Sequence, residues 1–142
     1  MAVCYPESLQ IQQLPVPTPQ EMEAIFFCLL ADNSAVLLCA LNRPQWQGGT
    51  PFTFLTEQLD TIMDTQNCQN TVVVGHMNHH LVHRAFMELT VVHGLTNHVN
   101  FTTHVRGASL DPVPTDLPGD SVLCSQVNRV SSSNHNAVLC TL

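Results

Sequence analysis

The chain contains no lysine, and apart from histidine its only basic side chains are Arg43, Arg84, Arg106 and Arg129. Against them stand 11 acidic residues, giving a formal net charge of −7. A protein that grips nucleic acid unaided clusters positive charge to neutralise phosphates and release counterions, so this balance excludes strong autonomous binding of that kind. None of the six cysteines (Cys4, Cys28, Cys39, Cys68, Cys124, Cys140) forms a C-x-x-C pair, which removes the usual metal and redox motifs. Cys4, Cys28, Cys39 and Cys140 lie in apolar runs, where a free cysteine behaves as a small hydrophobe. The chain is not of the small secreted type, so free thiols are expected rather than a disulfide framework. The start, MAVCYPES, has no basic region followed by a long apolar stretch. The most apolar part, Glu21 to Leu41, is cut by Asp32-Asn33-Ser34 into runs too short to cross a bilayer. A soluble intracellular protein is expected, and no internal repeat or low-complexity tail is present.

What is there fits one domain: 142 residues, 44% of them hydrophobic. Residues 10–20, QIQQLPVPTPQ, carry alternate prolines and read as an extended connector or edge segment. AIFFCLLA (24–31) and AVLLCAL (35–41) are strand-length runs joined by the turn-forming Asp32-Asn33-Ser34, and their near-continuous apolar character predicts burial on both faces. After the loop NRPQWQGGTP, Phe52, Leu55, Leu59, Ile62 and Met63 recur at helical spacing, with Pro51 near the first turn. Thr71 to Val74 is a β-branched strand ending at Gly75, and a second helix is expected over roughly residues 80–92, stopped near Gly94. LTNHVNF, SLDPVPTDL, DSVLC, NRV and NAVLCTL then predict four or five short strands. This order, a strand hairpin, then helix, strand, helix and further strands, indicates a layered α/β domain.

The stretch TVVVGHMNHHLVHRAF (71–86) holds four of the eight histidines. His79, His80 and His83 are candidate zinc ligands, because imidazoles four residues apart share one face of a helix. The set lacks a fixed third or fourth ligand; His93, His98, His104 and Cys68 are all available and no spacing selects one. Gly75 and Asn78 are turn residues, which places His76 on the strand-to-helix turn and off the helix face.

The same turn, a buried V-V-V-G strand followed by His76-Met77-Asn78, resembles the G-D-x-N turn of the endonuclease/exonuclease/phosphatase family. LNRPQW (41–46) falls where that family often has Tyr-x-Pro, SLDPV (109–113) where it has a Leu-Asp strand, and SSNHNAVL (132–139) where it has Ser-Asp-His before an apolar strand. The closest likeness is to the endonuclease domains of non-LTR retroelements. The resemblance implies a DNase I-like α/β sandwich of two sheets with flanking helices. It also implies metal-dependent hydrolysis of DNA phosphodiesters, with Mg2+ offsetting phosphate charge and a base activating water. It covers residues 5–142, matched to the later part of the family domain, with residues 1–4 the start of a truncated chain; the strands carrying the family's early Asn and Glu have no counterpart.

Asn78, Asp111 and His135 match family positions: the turn's phosphate-contacting Asn, the Asp that holds the histidine, and the histidine itself. His76 and Asn134 stand where the family has aspartates, and Asn42 where it has Tyr. Replacing an anion by imidazole at position 76, and losing the charge at 134, strips hard ligands from the metal site. An inactive copy that binds DNA weakly or not at all is therefore expected. An incomplete sandwich also exposes a sheet edge, and Pro114 removes a ladder donor from an expected strand, so marginal stability is expected as well.

Overall fold

The computed structural model describes residues 1–127 and 132–142. The NRV segment expected as a strand lies outside the described residues. Among the described residues eight strands and two α-helices follow in the order β1 (Ile11–Leu14), β2 (Glu23–Ala31), β3 (Ser34–Asn42), α1 (Thr50–Gln66), β4 (Asn70–Val74), α2 (His83–His93), β5 (Thr96–Asn97), β6 (Pro114–Thr115), β7 (Leu123–Val127) and β8 (Ala137–Thr141). Six of the strands form one mixed sheet in the order β1-β2-β3-β4-β6-β5, and β7 and β8 form a second.

The β2–β3 hairpin closes through Asp32 and Asn33, at φ 47° and 66°. Both residue types tolerate left-handed backbone, and two such residues give the turn whose twist matches that of the strands. Strand alternation then explains why the apolar runs are nearly continuous. From β3, Leu37, Cys39 and Leu41 pack on one face with Phe52, Leu55 and Leu59 of α1 and Phe86 and Leu89 of α2. Val36 and Leu38 point to the other face and join Val72, Val99 and Val113 against Cys124, Val138 and Cys140 of the small sheet. Helices thus cover one face of the large sheet and a two-stranded sheet covers part of the other. The expected sandwich is present.

Three details differ from the sequence expectation. The second helix begins only at His83, because His79–Val82 is a 3-10 turn. Pro114 lies within β6, but pairing there is reduced to Pro114 with Asn97 and Thr115 with Val72 and Thr96. The missing N–H keeps that strand to two residues. Finally, the thiols are not all free. The β7–β8 register sets Cys124 directly opposite Cys140, and the two form a disulfide. Of the other cysteines expected to be buried, Cys39 is a buried free thiol, Cys28 is half-buried and Cys4 is exposed; Cys68, outside the apolar runs, is buried and free as well. Among the described residues no helix is long and apolar enough to cross a membrane.

Candidate active site

The strand β4 ends at Gly75, whose φ of +129° lies where side chains rarely go. A Cβ there would sit 2.0 Å from the Leu41 carbonyl oxygen, so only glycine lets the turn pass this close to the end of β3. The next three residues are held from both sides. The amides of Met77 and Asn78 donate to the Leu110 carbonyl at 2.9 and 3.3 Å, and the His76 carbonyl accepts from the Arg43 amide at 2.8 Å. Asn78 adopts φ 45°, a left-handed position that asparagine accepts readily.

Arg43 completes this joint. Its side chain is 1% exposed. Nη1 donates to the carbonyls of Met77 (2.9 Å) and Asn78 (3.1 Å), Nη2 to Gln47 and Nε to Gly48 (3.0 Å). No carboxylate pairs with it among the described residues, and burial lowers its pKa. The guanidinium therefore acts as a clasp of backbone carbonyls, tying the loop after β3 to the turn after β4. LNRPQW gave no sequence signal of this role.

Three side chains converge beside the joint. The Asp111 carboxylate is met by His76 Nδ1 at 3.1 Å on one oxygen and by His135 Nδ1 at 2.9 Å on the other. The rings of the two histidines lie 4.8 Å apart at near right angles. Burial pushes the Asp111 pKa up, but hydrogen bonds from His76, Thr103 and His135 outweigh it and hold the carboxyl below its ordinary value. The opposite nitrogen of His76, Nε2, lies 2.9 Å from Asn78 Nδ2, which also donates to the Arg43 carbonyl at 3.0 Å. Because that carbonyl needs a donor, the amide orientation is fixed by the network, and Nε2 of His76 must accept. His76 is then protonated on Nδ1 and donates to Asp111. The Asn78 Oδ1, wholly buried, has no partner among the described residues.

His135 reaches this group from the segment entering β8. His104 pairs with it as an isolated bridge, with rings 5.0 Å apart, and the Val105 amide donates to the Asn134 carbonyl at 2.9 Å. His104 was not assigned from sequence, since its neighbour is 31 residues further along the chain and no spacing connects them. A cleft of about 440 Å³ opens over the group, walled by Pro112, Val113 and Val138.

Of the positions singled out in the sequence, His76, Asn78, Asp111 and His135 come together here. Asn134 is exposed and outside the cleft lining. Asn42 points elsewhere, its Nδ2 donating to Glu23. The candidate zinc ligands His79, His80 and His83 do not converge as a three-ligand group among the described residues. The 3-10 turn breaks the four-residue spacing that would align them, and His79 lies against Phe86 with ring centroids 4.6 Å apart. Burial, followed by the neighbouring His80 and His83, lowers the His79 pKa. Among the described residues, the group with metal-ligand geometry is His76, Asp111 and His135, whose ligand atoms lie within 4.8 Å of one another.

Magnesium prefers an octahedral shell of oxygen donors. Here one carboxylate is present, both of its oxygens face imidazole nitrogens, and the neutral Asn78 oxygen is sealed in the interior. The residues do not fit that ion.

No family model matches the chain, and neither does any curated protein. Solved structures do. The endonuclease domain of TRAS1, a telomere-specific non-LTR retrotransposon, superposes with a TM-score of 0.71 at 13% identity, covering 97% of this chain and 70% of that one. The beta toxin of Staphylococcus aureus superposes with a TM-score of 0.51 at 12% identity, covering 84% of this chain and 56% of the toxin. At such identities the likeness carries the fold alone, and that fold is DNase I-like, shared with a retrotransposon endonuclease domain.

Proposed function

We propose that this chain is a non-LTR retroelement-type endonuclease domain, with residues 5–142 matching its later part, in which phosphodiester hydrolysis has lapsed. The carrying observation is the Asp111 carboxylate, the one acidic group of the cluster, with both oxygens turned to histidines. The DNase I-like fold and the retained Asn78, Asp111 and His135 support the ancestry. The imidazole at position 76 and the exposed neutral Asn134 support the loss. Removing one acid–base group or one charge-stabilising group costs about 10² in rate, so several changes at one site leave little above background.

DNA is the ancestral substrate under this reading, held weakly if at all. Of the four arginines, Arg43 is buried and occupied by carbonyls, while Arg84 and Arg106 are exposed on separate segments. A nicking assay on supercoiled plasmid with Mg2+ or Mn2+ tests the proposal. The expected result is no nicking above buffer. A second reading, residual endonuclease activity, draws on the intact His135–Asp111 pair; cleavage abolished by His135→Ala would establish it and sink the inactive reading.

A further inference from the structure

We propose that His76, Asp111 and His135 form a binding site for a borderline divalent transition ion of the zinc class, in place of the hard cation of the ancestral chemistry. Two imidazoles and one carboxylate are the donor set that such ions favour over magnesium. The spacing suits it too. His76 Nδ1 and His135 Nδ1 stand 3.1 and 2.9 Å from the two Asp111 oxygens. Ligand atoms on a tetrahedral zinc with bonds of about 2.0–2.1 Å are themselves about 3.3 Å apart. The three ligand atoms here, one per residue, lie within 4.8 Å of one another, so side-chain rotations that close the widest edge by up to about 1.5 Å bring them onto one ion. The cleft leaves the fourth position open, and the apolar walls at Pro112, Val113 and Val138 hold the three donors in a partly dry environment.

The proton inventory identifies a further participant. An ion on Nδ1 of His76 moves that ring's proton to Nε2, which now needs an acceptor. Asn78 supplies one: its Oδ1 is buried without a partner among the described residues, and turning the amide brings it to Nε2 at the expense of the bond to the Arg43 carbonyl. The unpartnered oxygen is thus the outer-sphere acceptor that orients a metal-bound histidine. His135 moves its proton to Nε2 in the same way, and Nε2 makes no hydrogen bond with the described residues.

The test uses the purified full chain and is independent of whether it cleaves DNA. Cobalt(II) is titrated in and read by its visible absorption, then displaced by zinc. One ion per chain with the intense bands of a tetrahedral site is expected, unaffected by excess Mg2+. Affinity should fall at least tenfold in Asp111→Asn and His135→Ala, and stay unchanged in the surface double variant His80→Gln/His83→Gln. Circular dichroism checks that the variants fold. If they do not, cobalt-induced shifts of the His76 and His135 ring protons in the unmodified chain carry the test. Absence of a tetrahedral spectrum, indifference to His135→Ala, loss in the surface variant, or unshifted ring protons would each overturn the site and leave a purely hydrogen-bonded triad.

Discussion

The two faces of the large sheet are covered unequally. On one, α1 and α2 bury Phe52, Leu55, Leu59 and Leu89 completely, together with Leu37 and Leu41 of β3. On the other, the cover is a pair of five-residue strands whose outer side leaves Leu123 71% and Leu139 58% exposed. The site straddles this divide. His76 and Asn78 belong to the densely tied joint at the end of β4, whereas His135 is delivered by the thin layer. Position 76 is therefore set by the packing of the thick layer, while His135 depends on two strands and the Cys124–Cys140 bridge.

The strongest way to break the comparison is in the thick layer. Phe52 is fully buried and meets Phe86 edge-on at 5.4 Å. Phe52→Ala should cost about 3–5 kcal/mol in urea denaturation. A loss below about 1 kcal/mol would mean that the helical layer is not the main source of stability. Next comes the thin layer. The Cys124–Cys140 bridge closes a loop of sequence separation 16. Removing it with Cys124→Ser should cost about 3 kcal/mol at most, since part of the effect lies in the unfolded chain. Amide exchange should accelerate in β7 and β8 and leave β3 and β4 protected; uniform acceleration would erase the distinction between layers.

A last test, confined to alkaline pH, exploits cysteine chemistry, which also differs between the layers. Burial pushes the Cys39 thiol from 9.0 up to about 12, and burial with the neighbouring Cys28 raises Cys68 to about 11. The bridged cysteines do not titrate. A thiol whose folded pKa is raised stays protonated in the native state while the unfolded chain ionises. Stability is therefore full below about pH 9 and falls from there toward 12, by about 1.4 kcal/mol per pH unit for Cys39. Cys39→Ala should flatten that alkaline decline in thermal melts, and an unchanged slope would show that the thiol is not shielded.

Much of the thick layer could be read directly from the sequence. The hairpin, α1, β4 and the turn at Gly75 follow from apolar spacing and turn chemistry; of the predicted helix residues, Phe52, Leu55, Leu59 and Ile62 are buried and Met63 is half-buried. The thin layer was harder to read, because its strands are short and half exposed and so lack a clear alternation. The disulfide was missed for a related reason: pairing of Cys124 with Cys140 follows from strand register, which composition does not reveal. At the site, the His76–Asp111–His135 grouping came into view through a family likeness and not through spacing. The Arg43 clasp did not, since a charged residue in a proline-containing loop reads as exposed. The 3-10 turn at His79–Val82 likewise undid a helix face that looked regular on paper.

The clasp has a consequence for how such a chain can change. The course of the turn is set by Gly75, by the Leu110 carbonyl and by the Arg43 guanidinium, none of which involves the side chain at position 76. Shape and chemistry are thus encoded in different residues. Selection can be relaxed on one without eroding the other, so a scaffold of this kind can shed one reaction, persist as a folded domain, and remain a few substitutions away from a different use.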